Sequence, residues 1–286
     1  MYQQITINKR LTAVYLLIFL IIFIVFGWAL SYYFDNFLIL PLALIIAVIQ
    51  ALVSYYAGDK IALAVSGAKE LRRADNLTLF RLVENLTIAD GLPMPKIYLI
   101  NDSAPNALAA GRDPGRASIA VTTGLLESLN KTELEGVLAH ELSHIKNYDS
   151  RLMTLVVLLV GAIALIADFF LRWRWFGGDD ENNKSNAIFF LIAIVLVIAA
   201  PLIANLIQLA ISRRREFLAD ASAALLTRYP PGLINALKKI SRSPQQLRRA
   251  NRAVNHLYFV NPTELLSTHP NIAARVQALE KMLRQK

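Results

Sequence analysis

Residues 11–34 and 36–58 are two stretches without a single charged side chain, separated by Asp35 alone. Each is long enough to cross a bilayer as a helix, which takes about 20 apolar residues. Two more such blocks follow. Residues 152–171 carry only Asp168, near their end, and residues 185–212 between Lys184 and Arg213 carry no charge. With 55% of its residues hydrophobic, the chain is too apolar for an ordinary soluble protein. The pattern predicts a mainly α integral membrane protein with about four transmembrane helices.

The first block reads as an uncleaved anchor. Lys9 and Arg10 give it a basic start, but the apolar run outlasts a signal-peptide core and no small-x-small cleavage site ends it. Phe26, Trp28, Tyr32, Tyr33 and Phe34 gather at its far end, as an interfacial aromatic belt does. Basic residues set the orientation. Lys9 and Arg10 precede the first block, Lys60, Lys69, Arg72 and Arg73 follow the second, and Arg213, Arg214 and Arg215 follow the fourth. The positive-inside rule places both termini and the central segment in the cytoplasm. The net charge of +9 fits this topology and attraction to anionic lipid, without a motif for nucleic acid. A transporter or channel is disfavoured, because the spans lack the ionisable residues a pathway needs and no internal repeat is visible.

The central segment carries His140-Glu141-Leu142-Ser143-His144, an H-E-x-x-H sequence. On a helix the two histidines share one face, one turn apart, and can bind one zinc ion. Glu141 lies about 100° around the helix and can serve a water beside the metal as general base. Thr132-Glu133-Leu134-Glu135 reads as a capping box that starts this helix. Leu134, Val137, Leu138, Leu142 and Ile145 continue it at helical spacing. The chain has no cysteine, so a metal must be held by nitrogen and oxygen.

Catalytic zinc takes three protein ligands. Glu216 is the candidate third ligand, and Asp220, four residues on and on the same helical face, would orient a ligand histidine. Spacing alone equally fits two acids paired with Arg213, Arg214 and Arg215 on a solvated helix. If His144 and Glu216 share one ion, the chain between them crosses the membrane an even number of times. A hairpin of 152–171 and 187–211, spanning or merely packed on the bilayer, meets that condition.

Elsewhere, 61–92 reads as helical until Pro93 and Pro95, and Lys96–Ile100 as a strand. Asn106–Gly111 and Ala117–Thr123 read as a hairpin about the turn Arg112–Arg116. Pro230-Pro231-Gly232 ends one helix, and Asn271 caps a last one.

Taken together, the paired N-terminal spans, His140-Glu141-x-x-His144, the hydrophobic hairpin and Glu216-x-x-x-Asp220 resemble membrane-bound zinc metallopeptidases of the HtpX type. That group is related to the CAAX prenyl proteases and, more distantly, to thermolysin-like gluzincins. Pro105–Gly111 and Val121–Leu126 share in the likeness. The resemblance implies a gluzincin-like α+β domain with a small sheet. It implies one zinc per chain on His140, His144 and Glu216, with Glu141 as catalytic base and Asp220 behind a histidine. It implies that an edge strand binds the substrate backbone, for which Asn106 and Ala107 are the candidates. The group also carries a His-Pro step with an arginine six residues on, matched by His269-Pro270 and Arg275; His269 is the candidate donor to the oxyanion, with a capping or structural histidine as the alternative, and Arg275 a candidate substrate-binding residue. Endoproteolysis of unfolded or misfolded membrane proteins, in stress-linked quality control at the cytoplasmic membrane, follows from the same likeness. Processing of prenylated C-terminal peptides is the nearest alternative, and a non-catalytic metal-binding scaffold a more distant one. The expected division is a transmembrane hairpin over 1–58, a protease part over 59–151, a second hairpin over 152–211 and a helical part over 212–286.

Overall fold

A computed structural model describes residues 2–156, 159, 213–243, 257–259 and 270–284. Most of the two later apolar blocks, and His269, therefore lie outside the described residues.

The first two uncharged blocks form long helices, α1 (Tyr2–Tyr33) and α2 (Ile39–Val65). Within them Gln4–Tyr32 and Ile39–Val65 are long and apolar enough to cross a membrane. They meet closely where a Cβ placed on Gly27 would sit 2.6 Å from that of Ala43. One face of α1, at helical spacing, is buried: Asn8, Thr12, Tyr15, Phe19 and Phe23. Its apolar part packs on Leu152, Leu155, Val156 and Leu159. The opposite face, with Leu17, Ile21, Val25 and Trp28, is exposed and suited to lipid.

A four-stranded sheet follows, built from β1 (Ala68–Glu70), β2 (Lys96–Ile100), β3 (Ala107–Gly111) and β4 (Ala117–Thr122) in the order β1-β2-β4-β3. β2 and β4 are parallel and the outer pairs antiparallel. β1 corrects the helical reading of 61–92. The helix stops at Val65, Gly67 takes φ 70°, and Ala68–Glu70 pairs with β2 before α3 (Leu77–Asp90) begins. The turn between β3 and β4 contains a short 3-10 segment, Pro114–Arg116.

The sheet is covered on both faces. Ala62 and Leu63 of α2 pack with Leu108, Ala110 and Ala120 on one. On the other, Ala107, Ala109, Ile119 and Val121 pack with Val137, Leu138 and Leu142 of α5 (Lys131–Lys146), which follows the short α4 (Thr123–Ser128). The alanines of β3 let α5 lie close to the strand. α6 (Arg213–Thr227), α7 (Pro230–Ser241) and α8 (Ile272–Arg284) complete the bundle around α5. The N-terminal helices are thus built into the core rather than tethered to it.

Candidate metal centre

α5 is capped by Asn130, two residues before the expected Thr132. The Asn130 side chain accepts the Glu133 N–H at 3.0 Å, and the Glu133 carboxylate accepts the Asn130 N–H at 2.9 Å. Thr132 instead donates its hydroxyl to Asn130 Oδ1. Asparagine caps at least as well as threonine, and here it has the extended backbone a cap requires. The bundle then buries α5 almost completely from Gly136 to Ile145.

His140 and His144 turn their Nε2 atoms toward each other, 3.0 Å apart. Glu216, one turn into α6, places Oε2 at 3.6 Å from His140 Nε2 and Oε1 at 3.5 Å from His144 Nε2. Three ligands on a tetrahedral zinc at ~2.0–2.2 Å lie roughly 3.3–3.5 Å from one another. The site therefore has the dimensions of a zinc cradle. The chemistry agrees, because the outer nitrogens are already committed. His140 Nδ1 lies 2.9 Å from Asp220 Oδ1, and His144 Nδ1 lies 3.1 Å from Asp149 Oδ2. Hydrogen bonds to those carboxylates put the proton on Nδ1 and leave the Nε2 lone pairs facing a common point.

Each orienting carboxylate is itself held. Arg275, fully buried, donates Nε to Asp220 Oδ2 at 2.8 Å and Nη2 to Oδ1 at 2.6 Å. It also donates Nη1 to the Phe259 carbonyl at 3.3 Å and stacks on the Phe259 ring. Its guanidinium thus faces the outer side of His140 rather than an open cleft. Asp149 accepts the Asn8 side-chain amide at 2.7 Å, and Arg215 Nη1 lies 3.8 Å away. The sequence assigns no site role to Asn8 or Asp149, and marks Arg215 only as a flanking basic residue and a possible partner of Glu216 and Asp220. The one available signal was an acid five residues past His144. What brings it back is Tyr148, whose φ of 61° turns the chain after α5.

Burial pulls His140 down to about 4, against the hydrogen bond to Asp220. Burial pulls His144 the same way but is outweighed by the hydrogen bond to Asp149 and by Glu216, Asp149 and Glu141, which lift it to about 9. The two imidazoles, 3.0 Å apart, are thus pushed in opposite directions from the ordinary histidine value. Glu141 is pushed up to about 7 by burial, opposed by His144 and by an Ala109 backbone hydrogen bond. Asp220 is desolvated, yet Arg275 and His140 hold it below the usual range.

The space bounded by these groups, Met153, Leu257, Tyr258 and Phe259 is about 10 Å³, room for one water-sized sphere. β3 reaches this space through Ala109, and the outer edge of the strand is already paired. There the Ala107 carbonyl accepts the Phe259 N–H at 2.8 Å, and Leu108 bridges antiparallel to Tyr258. The Ala107 N–H donates to Asn106 Oδ1 at 3.0 Å. His140, Glu141, His144 and Glu216 line this space, Asp220 and Arg275 lie on the outer side of His140, and Asn106 and Ala107 stand at the start of β3.

Residues 73–283 match the family described as Peptidase family M48. The chain belongs to this peptidase family. It is 43% identical to the "Protease HtpX homolog" of Lactobacillus helveticus, over 99% of this chain and 100% of that one. The protein of the same name from Dictyoglomus turgidum is 41% identical over 98% of this chain and 94% of its own. In fold the chain is similar to the crystal structure of S. mikatae Ste24p, with TM-score 0.52, 19% identity, and coverage of 96% of this chain and 66% of that one. With its two membrane-length helices and its His-His-Glu site, this M48 chain is a membrane metallopeptidase.

Proposed function

We propose that this M48 chain is a zinc-dependent endopeptidase that cleaves within unfolded or misfolded membrane proteins, its site and both termini facing the cytoplasm. The observation that carries the reading is the convergence of His140, His144 and Glu216 beside Glu141 and the edge of β3. Bound zinc supplies a Lewis acid and lowers the pKa of water toward ~7. Glu141 accepts the proton of the attacking water and returns it to the leaving amine. Asp220, with Arg275 behind it, and Asp149 hold the two imidazoles in the ligating orientation. His269, from outside the described residues, is the proposed donor to the oxyanion.

The substrate lies as an added strand on β3, with Asn106 and Ala107 at its start. Main-chain hydrogen bonds read little sequence, which suits a protease of unfolded chains. The bond from Phe259 to Ala107 supports this, since that edge already accepts a backbone N–H from another part of the chain. A substrate occupying Ala107 takes that segment's place. The stress-linked quality-control role rests on the family resemblance.

The test compares wild type with Glu141→Gln and Glu216→Ala in detergent, with zinc, on an unfolded model protein. Glu141→Gln keeps zinc and loses roughly 10²–10⁴-fold in turnover, the usual share of a general base. Glu216→Ala loses the metal. Full turnover by Glu141→Gln, or normal zinc content in Glu216→Ala, removes that residue from its role. A prenylated C-terminal peptide cleaved in preference to the unfolded protein would shift the substrate class.

A further inference from the structure

We propose that the first membrane helix is part of the metal centre, with Asn8 of α1 positioning Asp149 and, through it, His144. The proposal rests on the metallopeptidase reading above and extends it to a segment that the sequence marks only as an anchor.

Asn8 is 1% exposed and sits just before the uncharged block of α1. Anchoring gives no reason to bury an amide there. Its Nδ2 donates to the Asn147 carbonyl at 2.8 Å and to Asp149 Oδ1 at 2.7 Å. Its Oδ1 accepts from Arg215 Nη1 at 3.4 Å. These partners fix which end of the amide is which, because the two acceptors need the NH₂ and the arginine needs the oxygen. One side chain therefore ties α1 to the end of α5, to the turn beyond it and to the start of α6, beside Glu216.

Asp149 is bridged between Asn8 on Oδ1 and His144 on Oδ2. The two halves of the centre are built alike. His140 leans on Asp220, which Arg275 holds; His144 leans on Asp149, which Asn8 holds. Without Asn8 the Asp149 carboxylate keeps, among the described residues, Arg215 at 3.8 Å from Oδ1, and is freer to rotate. A one-residue slide of α1 moves Asn8 by ~1.5 Å, enough to break a 2.7 Å hydrogen bond. Metal affinity is thereby linked to how α1 is seated against Leu152, Leu155, Val156 and Leu159.

The experiment uses full-length, metal-stripped protein in detergent. It reads zinc affinity by competition with a chromophoric chelator, and ligand geometry by the visible band of bound cobalt(II). Asn8→Ala weakens zinc about 10–100-fold, the range for orienting partners of metal ligands, and shifts the cobalt band. Thr12→Ala, buried one turn further on the same face, leaves both unchanged. Asn8→Asp keeps the shape but sets an acceptor against Asp149, and shows the same losses should Asn8→Ala fail to fold. Wild-type affinity and an unshifted band in the Asn8 variants overturn the proposal, as does an equal loss in Thr12→Ala. Wild type that takes up no zinc overturns the metallopeptidase reading along with it.

Discussion

His140 and His144 are the same residue type, on one helix face, in one bundle, yet the protein treats them oppositely. Both are desolvated, and the difference lies in the charges that reach them: Asp149, Glu216 and Glu141 act on His144, whereas Arg275 offsets Asp220 at His140. Asp220 is already neutralised by a bidentate arginine, so it offers His140 little net negative charge. Asp149 has a neutral amide and a more distant arginine, so its charge acts on His144. A ligating imidazole must give up its Nε2 proton, so zinc uptake competes with the proton on His144. At pH 8, below the value of about 9 for His144 and above that of about 7 for Glu141, roughly one proton should leave per zinc bound. Calorimetry in buffers of different ionisation enthalpy measures it, and zero release would contradict the assignment to His144. Stability follows the same sign. A histidine raised in the folded state stabilises fully below its unfolded value of about 6.5 and loses that contribution as pH rises through about 9. Glu141, also raised, acts in the same direction up to about pH 7. The melting temperature of metal-free protein should therefore fall from pH 6.5 to 9, and that of the zinc form should fall less.

α5 places two ligands and the base, so its seating decides whether they meet Glu216. It crosses α7 at Gly136, where a Cβ would stand 2.7 Å from the Leu233 backbone nitrogen and 2.9 Å from its Cα. Backbone cannot move aside as a flexible side chain can. Gly136→Ala should destabilise the protein by about 1–3 kcal/mol, as overpacking does. A thermal melt unchanged from wild type would mean that α7 is free to shift. The motif helix was legible because its apolar residues recur at helical spacing and its chemistry sits in five consecutive positions. Its true start was harder to read, since Asn130 and Thr132 both precede a glutamate by three residues and only backbone conformation separates them. β1 was not legible at all, because Ala68-Lys69-Glu70 has no strand-like composition and gains its pairing from β2. Asn8 and Asp149 were hidden for a related reason. Nothing local marks a polar residue as bound for a partner some 140 positions away.

The whole molecule joins its membrane helices to its chemistry at both faces of the sheet. α2 runs directly into β1, and its last turns cover the face of the sheet opposite α5. At 32 residues α1 is about 48 Å long, well beyond the ~30 Å hydrocarbon core. On the proposed topology its first turns project past the bilayer on the side where Asn8 meets the metal centre. On that topology the turn at Asp35 lies on the opposite side, with the uncharged block 11–34 between the two points. This argument from length agrees with the positive-inside argument from Lys9, Arg10 and Lys60, although the two use different residues. The chain has no cysteine, which makes single-cysteine labelling clean. Asp35→Cys should react with a membrane-impermeant maleimide in intact cells. Glu127→Cys, exposed near the start of α5, should react only after the membrane is opened. The reverse pattern would place the metal centre outside the cytoplasm, and labelling of both in intact cells would mean that α1 and α2 do not span. Either result would leave the ligand geometry intact while moving the substrates to another compartment.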